Sequence, residues 1–313
     1  MNLHRDISKI HFQGPSVVTI GNFDGVHLGH AALLKKTVEL GEKHKARSVV
    51  FTFANHPTEF VQRKKIEYLS QFERKLEIFT LFGVSDTVCV PFDEKIMDMT
   101  TERFSEEILL ERLHARDVVM GFDSRLGKGR EGRVEYLKET GERMGFTVHI
   151  IEPVLVDKMR VSSSCIRDFI KKGEVESALR YLGRPYELEG EVIHGQKLGR
   201  KLGYPTANIR LDYDFVLPKK GVYFCRTTLD GKQFDVAVSV GDNPTIENKG
   251  FSVEGHLLDF SGDLYGKTLR LQFIRRLRDE LKFSSLDDLK EQLGKDAEEI
   301  KKCSLLYKKP MIQ

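Results

Sequence analysis

The chain has no tryptophan, only nine prolines, and four cysteines among 313 residues. Cys89, Cys165, Cys225 and Cys303 stand far apart with no C-x-x-C pair. That spacing fits neither a disulfide framework nor a zinc site, and it points to a reducing cytoplasm. No sign of charge dominates: 50 Lys and Arg against 47 Asp and Glu leave a net +3, too mild to argue for nucleic acid. No apolar run approaches the length of a membrane span, and the polar stretch 1–12 lacks the apolar segment of a signal peptide. What is present is ordinary for a soluble globular protein, with 40% hydrophobic and 31% charged residues. The length suggests two domains, each able to bury a core.

One stretch organises the first half. Val17-Val18-Thr19-Ile20 is an apolar run ending at Gly21, the signature of a strand exit. Ala31, Leu34 and Val38 then recur at helical spacing. Between them lies His27-Leu28-Gly29-His30. A strand-to-helix turn gathers unpaired backbone N–H groups and the positive end of a helix dipole, a natural seat for an anion. His27 and His30 would add donors there, and Gly29 lets the backbone approach closely. An ordinary loop accounts for one exposed histidine, whereas His-x-Gly-His between strand and helix favours a polyphosphate.

Strand-like runs at 48–53, 87–90, 117–121 and 148–151 alternate with helical patterns, which predicts a parallel sheet covered on both faces. Ser70 and Glu73 are spaced as a capping box for a helix ending at Gly83. Ligands of such sheets sit at the carboxyl ends of the strands, where His27 and His30 fall. Arg160-Val161-Ser162-Ser163-Ser164-Cys165-Ile166-Arg167 is a serine run opening a helix between two arginines. A plain N-cap with solvated arginines competes with a phosphate-binding segment there. After Leu182 the pattern changes, with Gly183-Arg184-Pro185-Tyr186 as the hinge. Five strand-like segments with short turns then predict an antiparallel barrel or sandwich, closed by a helix over 285–306. Within it, Thr206 and Asn208 alternate onto one face of an extended segment and offer two neutral oxygens to a hard cation.

The segment Gly21-x-Phe23-Asp24-Gly25-Val26-His27-x-Gly29-His30 resembles the nucleotidyltransferase superfamily, and within it the bacterial bifunctional riboflavin kinase/FAD synthetases. Pro205-Thr206-Ala207-Asn208 matches the riboflavin kinase signature, so the resemblance runs over nearly the whole chain. It implies a Rossmann-like α/β nucleotidyltransferase domain over 1–183 and a riboflavin kinase barrel with a C-terminal helix over 184–313. It also implies ATP and Mg²⁺, with riboflavin phosphorylated to FMN and FMN adenylylated to FAD.

The nucleotide contacts so implied are Gly21, Asn22, Phe23, Asp24, Gly29, Asp123, Arg160, Ser162, Ser163, Ser164 and Arg167 in the first half. In the second they are Gly199, Lys201, Gly203, Tyr204 and Pro205. His27 and His30 would stabilise the phosphates, Glu254 would act as base for the kinase, and Thr206 and Asn208 would hold the metal. Asn55, His56, Arg278, Glu280 and Phe283 are the implied flavin contacts. The chain departs from the family where Asn55 replaces a proline, where Ser124 and Leu126 replace aromatic residues, and where Leu281 replaces a basic one. Ser124 and Leu126 keep a second reading open, a flavin-binding regulator or single-activity homologue with one lapsed domain. A pantetheine or nicotinamide nucleotide adenylyltransferase is disfavoured by the Pro-Thr-Ala-Asn segment. No membrane, nucleic acid or obligate protein partner is implied.

Overall fold

The computed structural model describes residues 1–127, 133–194, 203–242 and 251–307. Two compact units result: Met1–Ile66 with Ser70–Ser162, and Glu67–Leu69 with Ser163–Gln313.

The first unit is built on six parallel strands: β1 (Asn2–His4), β2 (Ser16–Ile20), β3 (Arg47–Phe53), β4 (Asp86–Val90), β5 (Ala115–Gly121) and β6 (Thr147–Ile151), in the order β1-β4-β3-β2-β5-β6. Strands buried on both faces need apolar or hydroxyl side chains at consecutive positions, and all five residues of β2 are buried. Alternate residues serve different cores. Val17, Val50 and Val119 pack with Leu34, Ile78 and Phe79 from helices α1 (Leu28–His44) and α3 (Phe72–Leu81). Val18, Phe51 and Val118 face the opposite core with Phe104, Leu109 and Leu137. The order in which strands are added reverses between β2 and β5, so the turns following these two parallel strands flank the switch point where open α/β sheets bind ligands.

One local expectation fails here. The Ser70–Glu73 capping box does not form: α3 starts after Gln71, which makes no side-chain cap, and the Ser70 hydroxyl instead accepts from Gly25 N–H at 3.1 Å. The helix begun at Thr100 passes into a π-helical turn over Ser105–Leu110. The short edge strand β1 is an addition that the polar N-terminus did not reveal.

The second unit is a closed barrel of antiparallel pairs, in the order β10-β13-β12-β11-β14-β9. Its strands are β9 (Tyr186–Ile193), β10 (Ala207–Arg210), β11 (Gly221–Leu229), β12 (Lys232–Asp242), β13 (Phe251–Leu257) and β14 (Thr268–Arg278), numbered after the small hairpin β7–β8 (Leu155–Val156 and Met159–Arg160) of the first unit. Closure removes the exposed strand edges that an open sheet of this size would carry. Helices α7 (Ser163–Lys172) and α8 (Val175–Leu182) belong with the barrel, as does the closing helix Leu286–Leu306.

Candidate active sites

The turn leaving β2 is held in a backbone conformation that few sequences tolerate. Phe23, Gly25 and Val26 all have positive φ, at 54°, 78° and 38°. His27 caps α1, and its Nδ1 accepts from His30 N–H at 3.3 Å. An accepting Nδ1 carries no proton, so the ring proton is on Nε2, which leaves that edge a donor. The two imidazoles stack with centroids 3.7 Å apart and planes within 13°. Gly29 lies beneath the first ring, where a Cβ would stand 3.1 Å from His27 Cε1. The same position is 3.9 Å from the Val161 carbonyl, which brings Arg160–Ser162 beside the histidines.

Gly21, Asn22, Phe23, Asp24, His27, Gly29 and His30 are therefore gathered in one turn, with Phe23 and Asp24 buried. After β5, Arg160 is ion-paired with Asp123 and its guanidinium lies 4.5 Å from the Phe122 ring centroid. Ser124 ties its own loop by accepting from Gly121 N–H at 3.1 Å, and Leu126 is buried in the core. Both positions where the family carries aromatic residues are thus structural in this chain. Asn55 is also committed to the backbone, donating to Phe92 O at 2.9 Å and accepting from Phe92 N–H at 2.7 Å. His56 caps a short helix by accepting from Thr58 N–H. Ser163, Ser164 and Arg167 lie on α7 in the other unit, where Arg167 donates to Glu67 O at 2.8 Å.

In the barrel, Asn208 and Glu254 are directly opposite across β10 and β13, and Thr206 Oγ1 donates to Glu254 Oε2 at 3.3 Å. Burial pushes the Glu254 carboxyl above its ordinary value, and the Thr206 hydrogen bond opposes that only in part. A carboxylate raised in this way is a better proton acceptor than an exposed one. His256, which the sequence did not single out, binds the Pro205 carbonyl through Nδ1 at 2.8 Å and so steadies the approach to Thr206. Beside these residues lies a cavity of about 690 Å³ lined by Pro205, Thr206, Asn208, Phe260 and Tyr265.

Gly203 and Tyr204 are on the same approach, Gly203 with φ 85°. Gly199 and Lys201 lie outside the described residues. Arg278 is held by Asp296 through two bonds, 2.9 and 2.7 Å, so the closing helix engages it. The Glu280 carboxylate lies against Gly241, and Phe283 is half-buried.

A parallel sheet with a histidine turn at its switch point, followed by a closed barrel with Thr206 and Asn208 at a cavity and Glu254 bonded to Thr206, fits the class of two-domain nucleotide-dependent transferases. The comparisons narrow that class. The family described as FAD synthetase matches residues 9–165, and that described as riboflavin kinase matches 182–304. A bifunctional riboflavin kinase/FMN adenylyltransferase from Buchnera aphidicola subsp. Schizaphis graminum is 36% identical over 292 residues, 92% of this chain and 93% of that one. The protein of the same name from Escherichia coli K12 is 36% identical over 282 residues, covering 90% of each. A crystal structure described as a macrolide-efflux protein from Streptococcus pneumoniae aligns with a TM-score of 0.88 at 30% identity, covering 95% of this chain and 97% of that one. The chain belongs to the family of bifunctional riboflavin kinase/FMN adenylyltransferases, and is an enzyme with both activities. The regulator with a lapsed domain is not favoured. Among the described residues no helix is long and apolar enough to cross a membrane.

Proposed function

We propose that the two reactions of FAD synthesis are carried by separate sites, one in each half of the chain, with 1–183 and 184–313 as the catalytic divisions. The barrel site phosphorylates riboflavin. The ribityl 5′-hydroxyl attacks the γ-phosphorus of ATP, its proton passes to Glu254, and ADP leaves as FMN forms. The observation that carries this assignment is that Thr206 and Asn208, which line the cavity, converge on Glu254, one by a hydrogen bond and the other by strand register. A hydroxyl, a side-chain amide and a carboxylate are hard oxygen donors, the set that suits Mg²⁺. Thr206 and Asn208 would hold the ion beside the triphosphate, where it would offset the charge on the phosphate oxygens. Among the described residues no cluster of three His, Cys, Asp or Glu is placed to bind a metal, which fits an ion carried largely by ATP.

At the histidine turn, a phosphate oxygen of FMN attacks the α-phosphorus of a second ATP and pyrophosphate leaves, giving FAD. No covalent enzyme intermediate is required. The protein aligns two anions and meets the developing charge with the helix N-terminus, the Nε2–H of His27, His30 and Arg160. Arg160 must exchange its Asp123 partner for phosphate when ATP binds. The wide spacing of the four cysteines, with no C-x-x-C pair, supports a reducing cytoplasmic location.

The test is a crossed pair of variants assayed with riboflavin, FMN, ATP and Mg²⁺. His30→Ala should lower adenylylation by roughly two to three orders of magnitude and leave kinase turnover intact. Glu254→Gln should lower kinase turnover by about 10²-fold or more and leave adenylylation of supplied FMN intact. Parallel loss of both activities in either variant would overturn the separation of sites.

A further inference from the structure

Lys75 lies on the buried stripe of α3 with Ile78 and Phe79, and it is only 5% exposed. An apolar side chain would pack in that stripe without the cost of burying an ammonium, so packing does not explain a lysine. Its Nζ donates to the Asn22 carbonyl at 3.2 Å, an oxygen that also accepts from Thr52 Oγ1 at 3.4 Å. Burial lowers the Lys75 pKa, and the charge of Asp24, itself 2% exposed, pulls it back up.

These contacts land on a strained stretch of the first unit's backbone. The peptide is planar and trans, so holding the Asn22 carbonyl toward Lys75 aims the Phe23 N–H the opposite way. Phe23 and Val26 then follow at positive φ, 54° and 38°, a strained region for residues with a Cβ. Such a turn persists only where its surroundings over-determine it. Inside the turn Val26 N–H donates to Phe23 O at 3.1 Å, and further restraints arrive from outside it: Lys75 and Thr52 on Asn22, Ser70 on Gly25, and Lys75 again through the charge of Asp24. The turn delivers His27 to the N-cap of α1.

We infer that Lys75 is a positioning residue for adenylyl transfer, fixing the Asn22–Val26 turn from behind without touching substrate. The inference rests on the reading of the His27–His30 turn as the polyphosphate site. Two variants test it in the full-length enzyme, with FMN adenylylation kcat, riboflavin kinase turnover and melting temperature measured on each preparation. Lys75→Met removes charge and donor together, and adenylylation kcat should fall about 10²-fold while kinase turnover is unchanged. Lys75→Arg keeps the charge opposite Asp24 but moves the donor off the Asn22 carbonyl. It should melt near the parent temperature and still lose about tenfold in adenylylation kcat. A Lys75→Arg enzyme with parental kcat would reduce Lys75 to a counter-ion and overturn the inference, even if Lys75→Met fails to fold. Failure of the underlying site reading shows separately, as His30→Ala with undiminished adenylylation.

Discussion

Gly29→Ala is the sharpest probe of the histidine turn, because stability and activity should part company. A Cβ at this position would stand 3.1 Å from His27 Cε1 and 3.2 Å from Nδ1. Carbon contacts are comfortable at about 3.5 Å, so the imidazole must retreat by about 0.4 Å. Its hydrogen bond from His30 N–H is already long at 3.3 Å, and that retreat carries it out of reach. Losing an N-cap costs about 1 kcal/mol, while replacing a helical glycine by alanine returns about 0.5–1 kcal/mol. The two nearly cancel, and the melting temperature should move by only a few degrees. Catalysis has no such compensation. The Nε2–H donor of His27 moves with the ring, its stacking on His30 is disturbed, and a misplacement of about 1 Å can cost about 10²-fold. We expect adenylylation kcat to fall about 10- to 100-fold with kinase turnover unchanged, resolved by chromatography of FMN and FAD from one reaction. A Gly29→Ala enzyme that adenylylates FMN at the parental rate would show that the ring is not held where the reaction needs it.

Two further outcomes follow from the packing of each unit. The buried Asp86 carboxylate accepts from Asn2, His4, Ser85 and Arg47; burial works against its charge, yet those four bonds leave its pKa below the ordinary 3.8. A lowered folded value means that its stabilisation is complete above the unfolded pKa and lost as pH falls through the folded one. Asp86→Asn should therefore cost about 1–3 kcal/mol at neutral pH in urea unfolding and flatten the acid limb below pH 4; an unchanged limb would refute the linkage. For the second unit, a fragment beginning at Arg184 should phosphorylate riboflavin, but one beginning at Ser163 should melt higher. Gly173 packs against Arg276 and Tyr223, and Glu176 accepts from Arg276 N–H, so α7 and α8 support β14. Equal melting of the two fragments would count against that support.

Much of the architecture was legible because strand and helix impose different periods on the apolar residues. The β2 run, α1, the helix Val134–Met144 and the barrel strands β9, β11 and β14 all announce themselves in this way. What escaped was set by contacts distant in sequence. Ser70 looks like a helix cap by spacing, but the Gly25 amide competes for its hydroxyl and wins. Three-residue β1 has no period to detect, and exists because it pairs with β4 and brings Asn2 and His4 to Asp86. The aromatic-to-Leu126 change suggested a weakened flavin site until Leu126 was found in the core, with Thr101 Oγ1 bonded to its carbonyl at 2.7 Å. Lys75 did leave a signal. A lysine three and four residues before Ile78 and Phe79, on an otherwise apolar face, is a charge that the helix carries inward.

The two sites also differ in how tightly sequence alone specifies them. At the histidine turn the proposed phosphate contacts, Arg160 apart, fall within ten consecutive residues, so motif and geometry are nearly the same statement. In the barrel, Thr206 and Glu254 are 48 residues apart, and only strand register brings them together. Side chains alternate between the faces of a strand, so a slip of one residue would turn Glu254 away from Asn208. The inward neighbours guard against that slip. Ala207 pairs with Gly255, and a Cβ on Gly255 would already stand 3.2 Å from Val236 Cγ1. Two small residues at this crossing let β10 and β13 close over the barrel core, and that closure holds the carboxylate, amide and hydroxyl on one face. The glutamate that reads from sequence as an ordinary outward strand charge is thus held opposite Asn208 and beside Thr206 by an alanine and a glycine pointing the other way.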